Sequence, residues 1–219
     1  MSTTIKIESR DDSVQSEIMQ QIDHTKLTIA AATVAAELFH AEVIAKQLTI
    51  SAKNAAAIVL RAGSQAAGLS VISSYYDELA SKTITLARSI NITAVQLSMV
   101  SVTEWRTSAV VTQVERARDM MDDPESARTV AQLGVKVEAE LEHLSDGFQT
   151  LLKELYEQLD EVQRNMRAID VIAVTSRLEA QQTGEFKEGL MQMANSIQGQ
   201  ASEIKNHVAK SVSLLNAYT

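Results

Sequence analysis

Apolar residues recur along most of this chain at alternating steps of four and three. That spacing lays one stripe along an α-helix and winds partner helices into a left-handed supercoil. The first stripe runs Leu27, Ala31, Val34, Leu38, Ala41, Ala45, Leu48, Ala52, Ala55, Val59 and Ala62. The second runs Leu69, Ile72, Tyr76, Leu79, Thr83, Leu86, Ile90, Thr93, Leu97 and Val100. The third takes Val130, Val137, Leu141, Leu144, Phe148, Leu151, Leu155, Val162, Ile169 and Ile172, and the last Leu190, Ala194, Ile197, Ala201, Ile204, Val208 and Leu215. Four helices are predicted, the first from about Ser13, the others over 69–121, 124–183 and 190–219.

The single proline marks the middle break. In Asp122-Asp123-Pro124-Glu125, Asp123 is placed to cap, Pro124 suits a first helical position and Glu125 suits the positive end of a helix. Short connections make consecutive helices antiparallel. The expected fold is therefore all-α: a long antiparallel four-helix coiled-coil bundle of two helical hairpins, up-down-up-down. Residues 1–12 are expected to be a flexible tail and 13–219 a single elongated helical bundle. Hairpin one would occupy 13–121 and hairpin two 124–219. The fourth helix is too short to cover the half away from the hairpin bends. That half is expected to be three-helical, to leave an apolar groove, or to pair with another chain.

The chain has only seven Gly, and four of them repeat one pattern. Gly63 and Gly68 stand five apart with Leu69 following, and Gly184 and Gly189 stand five apart with Leu190 following, 121 positions later. All four are expected to shape the hairpin turns. Aromatics make up 4% and apolar residues 45%, with abundant Ala, which suits closely packed helices better than a globular enzyme core. The net charge of −8 argues against a nucleic-acid binder. No Cys is present, so disulfides and thiolate chemistry are excluded, and a reducing compartment is expected. The longest uncharged run, Ser89 to Thr103, is 15 residues with several polar side chains, too short and polar for a membrane span. A cytoplasmic location is expected.

The residues around the first bend read Asn54-Ala55-Ala56-Ala57-Ile58-Val59-Leu60-Arg61-Ala62-Gly63, then Gly68-Leu69-Ser70-Val71-Ile72, then Leu79-Ala80. This resembles the hairpin tip of the cytoplasmic signalling domain of methyl-accepting chemotaxis proteins, keeping the Asn, the Arg-Ala-Gly and both outer Gly positions. The second bend carries a complementary set: Leu178-Glu179-Ala180, Gly184-Glu185, Gly189-Leu190 and Ala194. The matches cover about 60 residues. The family's tip Glu is Ile58 in hairpin one and Glu179 in hairpin two, and its tip Arg is Arg61 and then Gln182. Its middle Gly is Ala66 and Lys187, and its Phe is Leu in both.

Family members are dimers of one hairpin, so two diverged hairpins in one chain resemble a single-chain imitation of that dimer. The resemblance implies partner-binding roles for Ile50, Asn54, Arg61, Val71, Glu179 and Glu185. The implied partners are a chemotaxis histidine kinase or its coupling protein. The chain would be a monomeric pseudo-dimer, or a homo-oligomer through the half not covered by the fourth helix. No paired Glu/Gln stretch stands where the family is methylated, so adaptation by methylation is not expected.

Candidate chemistry is sparse. Glu37-x-x-His40 and Glu140-x-x-His143 each place a carboxylate and an imidazole on one helical face, as carboxylate-bridged metal bundles do. Level hairpins put the two motifs far apart, and they set the region of Leu214 on the last helix opposite Glu37. No metal, no cofactor and no enzyme activity are therefore expected. The functional expectation is a signalling bundle acting by protein contact through its hairpin tip. A scaffold unrelated to chemotaxis, or a pore-forming helical protein, stand as alternatives.

Overall fold

The structure is a computed structural model and describes the backbone of residues 2–217 and the side chains of Lys26 and 28–217. It is all-α. The helices are α1 (Ser2–Ala62), α2 (Ala67–Asp119), α3 (Pro124–Ala180) and α4 (Lys187–Asn216), with no strand among the described residues. Short 3-10 turns at Gly63–Ala66 and Gly184–Phe186 join α1 to α2 and α3 to α4.

The backbone of the expected N-terminal tail belongs to α1, which is helical from Ser2 onward rather than from Ser13. No Gly or Pro precedes Gly63, so nothing in the stretch opposes helix propagation. Leu27 and the side chains before Lys26 lie outside the described residues. At the other end, α3 stops at Ala180 and α4 restarts at Lys187, so the second turn takes in residues expected to be helical up to Thr183. The proline break is as expected: Asp123 Oδ2 accepts a hydrogen bond from the Ser126 amide at 2.8 Å, and α3 opens at Pro124.

The chain divides into two compact units, and each hairpin contributes to both. A tip unit comprises Thr33–Thr93 and Glu154–Ala217, and a linker unit comprises Met1–Ala32 and Ala94–Lys153.

In the tip unit, buried residues recur with the four-three spacing on all four segments. We label the two inward positions of each heptad a and d. On α1 and α4 they coincide with the stripes read from the sequence, with Ser211 added on α4. On α2 and α3 the inward positions fall one residue later than several of the large apolar side chains. Ser73, Ala80 and Ala87 are buried, while Ile72, Leu79 and Leu86 are half-buried beside them. Likewise Ala173 is buried in place of Ile172, and Leu159, Met166, Ser176 and Ala180 complete the α3 row. The linker unit repeats the shift, with Ser101 and Leu152 buried rather than Val100 and Leu151.

Polar contacts link the four segments of the tip unit in sequence. Arg88 Nε on α2 donates to Glu42 Oε1 on α1 at 2.9 Å. Gln158 Nε2 on α3 donates to Ser89 Oγ on α2 at 3.1 Å. Arg177 Nη1 on α3 donates to Gln198 Oε1 on α4 at 2.6 Å, Lys205 on α4 pairs with Asp170 on α3, and Glu37 on α1 binds His207 and Lys210 on α4.

Inside this ring, Tyr76 is 2% exposed and its hydroxyl meets Ser176 Oγ at 2.8 Å. Ser176 gives its proton to the Ile172 carbonyl, so Tyr76 donates. A small cavity of about 10 Å³ lies beside the pair, lined by Ala55, Val59, Leu69 and Met193 among others.

One helical window between Thr28 and Asp119 reaches a mean hydropathy of 1.4, enough by length and composition alone to suit a bilayer. The same stretch supplies the buried α1 and α2 rows of the tip unit.

Two consequences of the buried tyrosine can be measured. Tyr76→Phe leaves the Ser176 bond to Ile172 in place and removes one buried hydrogen bond, for an expected loss of about 1 kcal/mol in urea unfolding. Burial also pushes the phenol up from 10.0 to about 12. Because the neutral form is favoured in the folded state, this contribution is complete below pH 10 and is lost as pH rises through about 12. The alkaline decline in stability is expected to flatten in Tyr76→Phe.

Candidate functional site: the paired hairpin tips

Both tips turn on a glycine. Gly63 and Gly184 have φ of +58° and +59°, the only positive values among the described residues. An L side chain is disfavoured there by contact between its Cβ and the following carbonyl, so glycine ends each helix without that strain. In the second tip the last carbonyls of α3 are used by the turn. The amides of Gln181, Gln182 and Thr183 donate to Leu178, Glu179 and Ala180, and the Thr183 hydroxyl also donates to Ala180 at 2.7 Å. Thr183 is thereby buried, at 1% exposure, without an unsatisfied group.

The two tips share one apolar cluster. Val59, Ala62, Ala66 and Leu69 from hairpin one pack with Ala180 and Leu190 from hairpin two, flanked by Ile58, Ile72, Phe186 and Met191.

Gly68 and Gly189 do different work from the turn glycines. Both lie in the opening turns of α2 and α4, at ordinary negative φ. A β-carbon at Gly68 would stand 2.7 Å from Glu179 Oε2, whereas one at Gly189 would stand 3.7 Å from Ile58 Cδ1. Glu179 and Ile58 are separated by 121 positions, as are Gly189 and Gly68. The two contacts are therefore copies of one another, with a carboxylate on one side and an alkyl group on the other.

Of the residues singled out by resemblance, Asn54, Arg61 and Glu185 are exposed, and Glu179 is half-buried over Gly68. Ile50 and Val71 are 60% and 61% exposed, both on outward heptad positions, Ile50 on α1 and Val71 on α2. Arg61 and Glu179 make no ion pair with each other. The structure adds exposed apolar residues that sequence reading passed over: Leu60 and Tyr75 on hairpin one, Val171, Val174 and Leu178 on α3. A signal for one of them existed, since Val171 is the 121-residue counterpart of Ile50.

The Glu-x-x-His motifs resolve into separate roles. Glu140 and His143 are exposed on α3. Glu37 is 8% exposed and accepts from Lys210, with its other oxygen 2.7 Å from His207 Nδ1. The His40 ring stacks on His207 with centroids 5.6 Å apart. The α4 residues opposite Glu37 are thus His207 and Lys210, one to two turns before the expected Leu214. The expectation set residues equally distant from the two bend centres opposite one another, whereas Glu37 meets α4 residues four to seven positions nearer the second bend. Among the described residues no group of three His, Cys, Asp or Glu is arranged to hold a metal ion.

Compared with known proteins, the chain matches no family model, no curated protein and no solved structure.

The two kinds of glycine make opposite predictions. Gly63→Ala and Gly184→Ala are each expected to lose about 1–2 kcal/mol in urea unfolding, because each forces an L residue into the left-handed region. Gly189→Ala replaces hydrogen with a methyl at ordinary contact distance and is expected to be close to neutral.

The Glu37 cluster predicts an acid limb. Hydrogen bonds from Lys210 and then His207 hold the Glu37 carboxyl below its ordinary 4.5 despite burial. Its stabilisation is complete above that value and is lost as pH falls through the lower folded value. Glu37→Gln is expected to cost about 1–3 kcal/mol near neutrality and to flatten this limb in a pH series of unfolding curves.

Proposed function

We propose that this chain is a chemoreceptor-like signalling bundle that acts in the cytoplasm by protein-protein contact through its hairpin tip, without catalysis and without methylation-based adaptation. In this reading the tip unit is an antiparallel four-helix bundle, up-down-up-down, and one chain takes the place of a receptor dimer. The observation that carries the reading is the pair of tips. Two glycine-turned bends of matching sequence meet in one apolar cluster, and their second glycines make equivalent contacts with Glu179 and Ile58.

The proposed partner is a chemotaxis histidine kinase or its coupling protein. Ile50 and Val71 offer exposed apolar surface, and Asn54, Arg61, Glu179 and Glu185 offer polar groups around the tip. A signal would travel as a shift in helix packing. The inward rows of α2 and α3 carry Ser73, Ala80, Ala87, Ala173 and Ser176, whose small side chains let helices slide between two packings at low steric cost.

The test is binding of purified kinase and coupling protein to the purified chain, followed by sedimentation. Wild type is expected to bind at least one of them. Arg61→Glu combined with Glu179→Lys is expected to weaken that binding by roughly tenfold or more while circular dichroism stays helical. Failure of the wild type to bind either protein would overturn the reading. The apolar window between Thr28 and Asp119 favours a second reading, a membrane-active helical protein. Dye release from vesicles by the wild-type chain would support that reading over the first.

A further inference from the structure

Over much of the linker unit the described residues lack the closed core of the tip unit. From Val102 to Gly147, across the end of α2 and the start of α3, no residue is fully buried. The inward heptad positions continue through this stretch, but what occupies them changes. Position d of α2 falls on Glu104 and position a on Ser108. On α3, position a falls on Glu138 and Ser145, and position d on Leu141. In the tip unit the corresponding positions hold Leu, Ile, Val, Met, Tyr, Ala, Ser and Thr, with no charged residue among them.

An open groove of about 510 Å³ lies between these helices, lined by Glu104, Ser108, Glu138, Leu141, Glu142, Ser145 and Asp146. Glu138, Glu142 and Asp146 form one ridge at four-residue spacing, about 12 Å long, and Glu104 faces them from α2. None of the four carboxylates takes part in an ion pair among the described residues. Several acids of the tip unit do pair with a cation, among them Glu37, Glu42, Glu78, Asp160, Glu161 and Asp170.

Unpaired carboxylates at inward positions are costly when covered by an apolar helix, because each charge would lose water without gaining a partner. A second copy of this chain is a poor occupant. It would bring the same four acids and a net charge of −8 to the interface. The position that carries Glu142, e, also carries Asp170 and Arg177, and in the tip unit both of these bond to α4. This face of α3 is therefore one on which a helix can lie.

We propose that the groove seats an amphipathic helix of a partner protein, with Lys or Arg repeated at four-residue spacing to meet Glu138, Glu142 and Asp146, and one apolar side chain against Leu141. Ser108 and Ser145 are small enough to let that helix approach closely. The inference is independent of the tip contact proposed above, since it uses other residues in the other unit.

The probe is a labelled model peptide of about three heptads with Leu at a and d and Lys elsewhere, titrated with the full chain by fluorescence anisotropy at about 0.15 M salt. The groove variant combines Glu104→Gln, Glu138→Gln, Glu142→Gln and Asp146→Asn. A control with the same change in net charge combines Glu78→Gln, Glu157→Gln, Asp160→Asn and Glu161→Gln in the tip unit. Wild type is expected to bind, the control to stay within about twofold, and the groove variant to lose roughly tenfold or more. A milder pair, Glu142→Lys with Asp146→Lys, alters only exposed positions and is expected to lose at least as much while circular dichroism is unchanged. Absence of wild-type binding, or equal loss in groove variant and control, would overturn the proposal. So would a wild-type dimer in sedimentation that the groove substitutions dissociate, because the seat would then belong to a second copy.

Discussion

Close approach of helices through small side chains is the constraint on which the tip unit depends. Alanine and serine occupy the a row of α2 at Ser73, Ala80 and Ala87, and recur on α1 at Ala45 and Ala52. Short side chains at these levels leave room for larger ones across from them, as where Tyr76 reaches over to Ser176. Alternating large and small residues in this way fills the interior without strained rotamers. The bend glycines, the shared tip cluster and the charged links at the rim all presuppose that spacing.

The same constraint explains which parts of the interior were legible in the sequence. On α1 and α4 the inward Ala41, Ala52 and Ala201 are flanked by polar residues, so the stripe stands out there. On α2 the inward Ser73, Ala80 and Ala87 are each preceded by a bulkier apolar residue, Ile72, Leu79 and Leu86. A reading by hydrophobicity alone selects the bulkier neighbour. Packing selects the residue that lets the backbones meet, and the larger side chain lies along the flank, half exposed. Helix existence was evident throughout, because the four-three spacing tolerates a one-residue error of phase without losing its period. The start of α1 was less evident, since a charged stretch reads as a tail although nothing in it breaks a helix.

The site was legible in part. Repetition of two glycines and a leucine gave the bends, and the structure separates their duties: one glycine turns the chain and the other admits a neighbour. The closeness of Gly68 to Glu179 was hidden, because it depends on how the two hairpins meet, and no spacing within either hairpin records that. His207 beside Glu37 was hidden for the same reason. An error of one to two turns replaced a charged cluster with Leu214, and only contacts between helices distant in sequence correct it.

Joining two diverged hairpins in one polypeptide also removes a symmetry that a true pair of identical hairpins could not avoid. A dimer would display its acidic group twice, on opposite sides, and could recruit two copies of whatever reads it. Here Glu179 has an alkyl counterpart in Ile58, so the carboxylate over the helix start occurs once. A ligand that recognised that group would be held to a one-to-one stoichiometry and a single orientation.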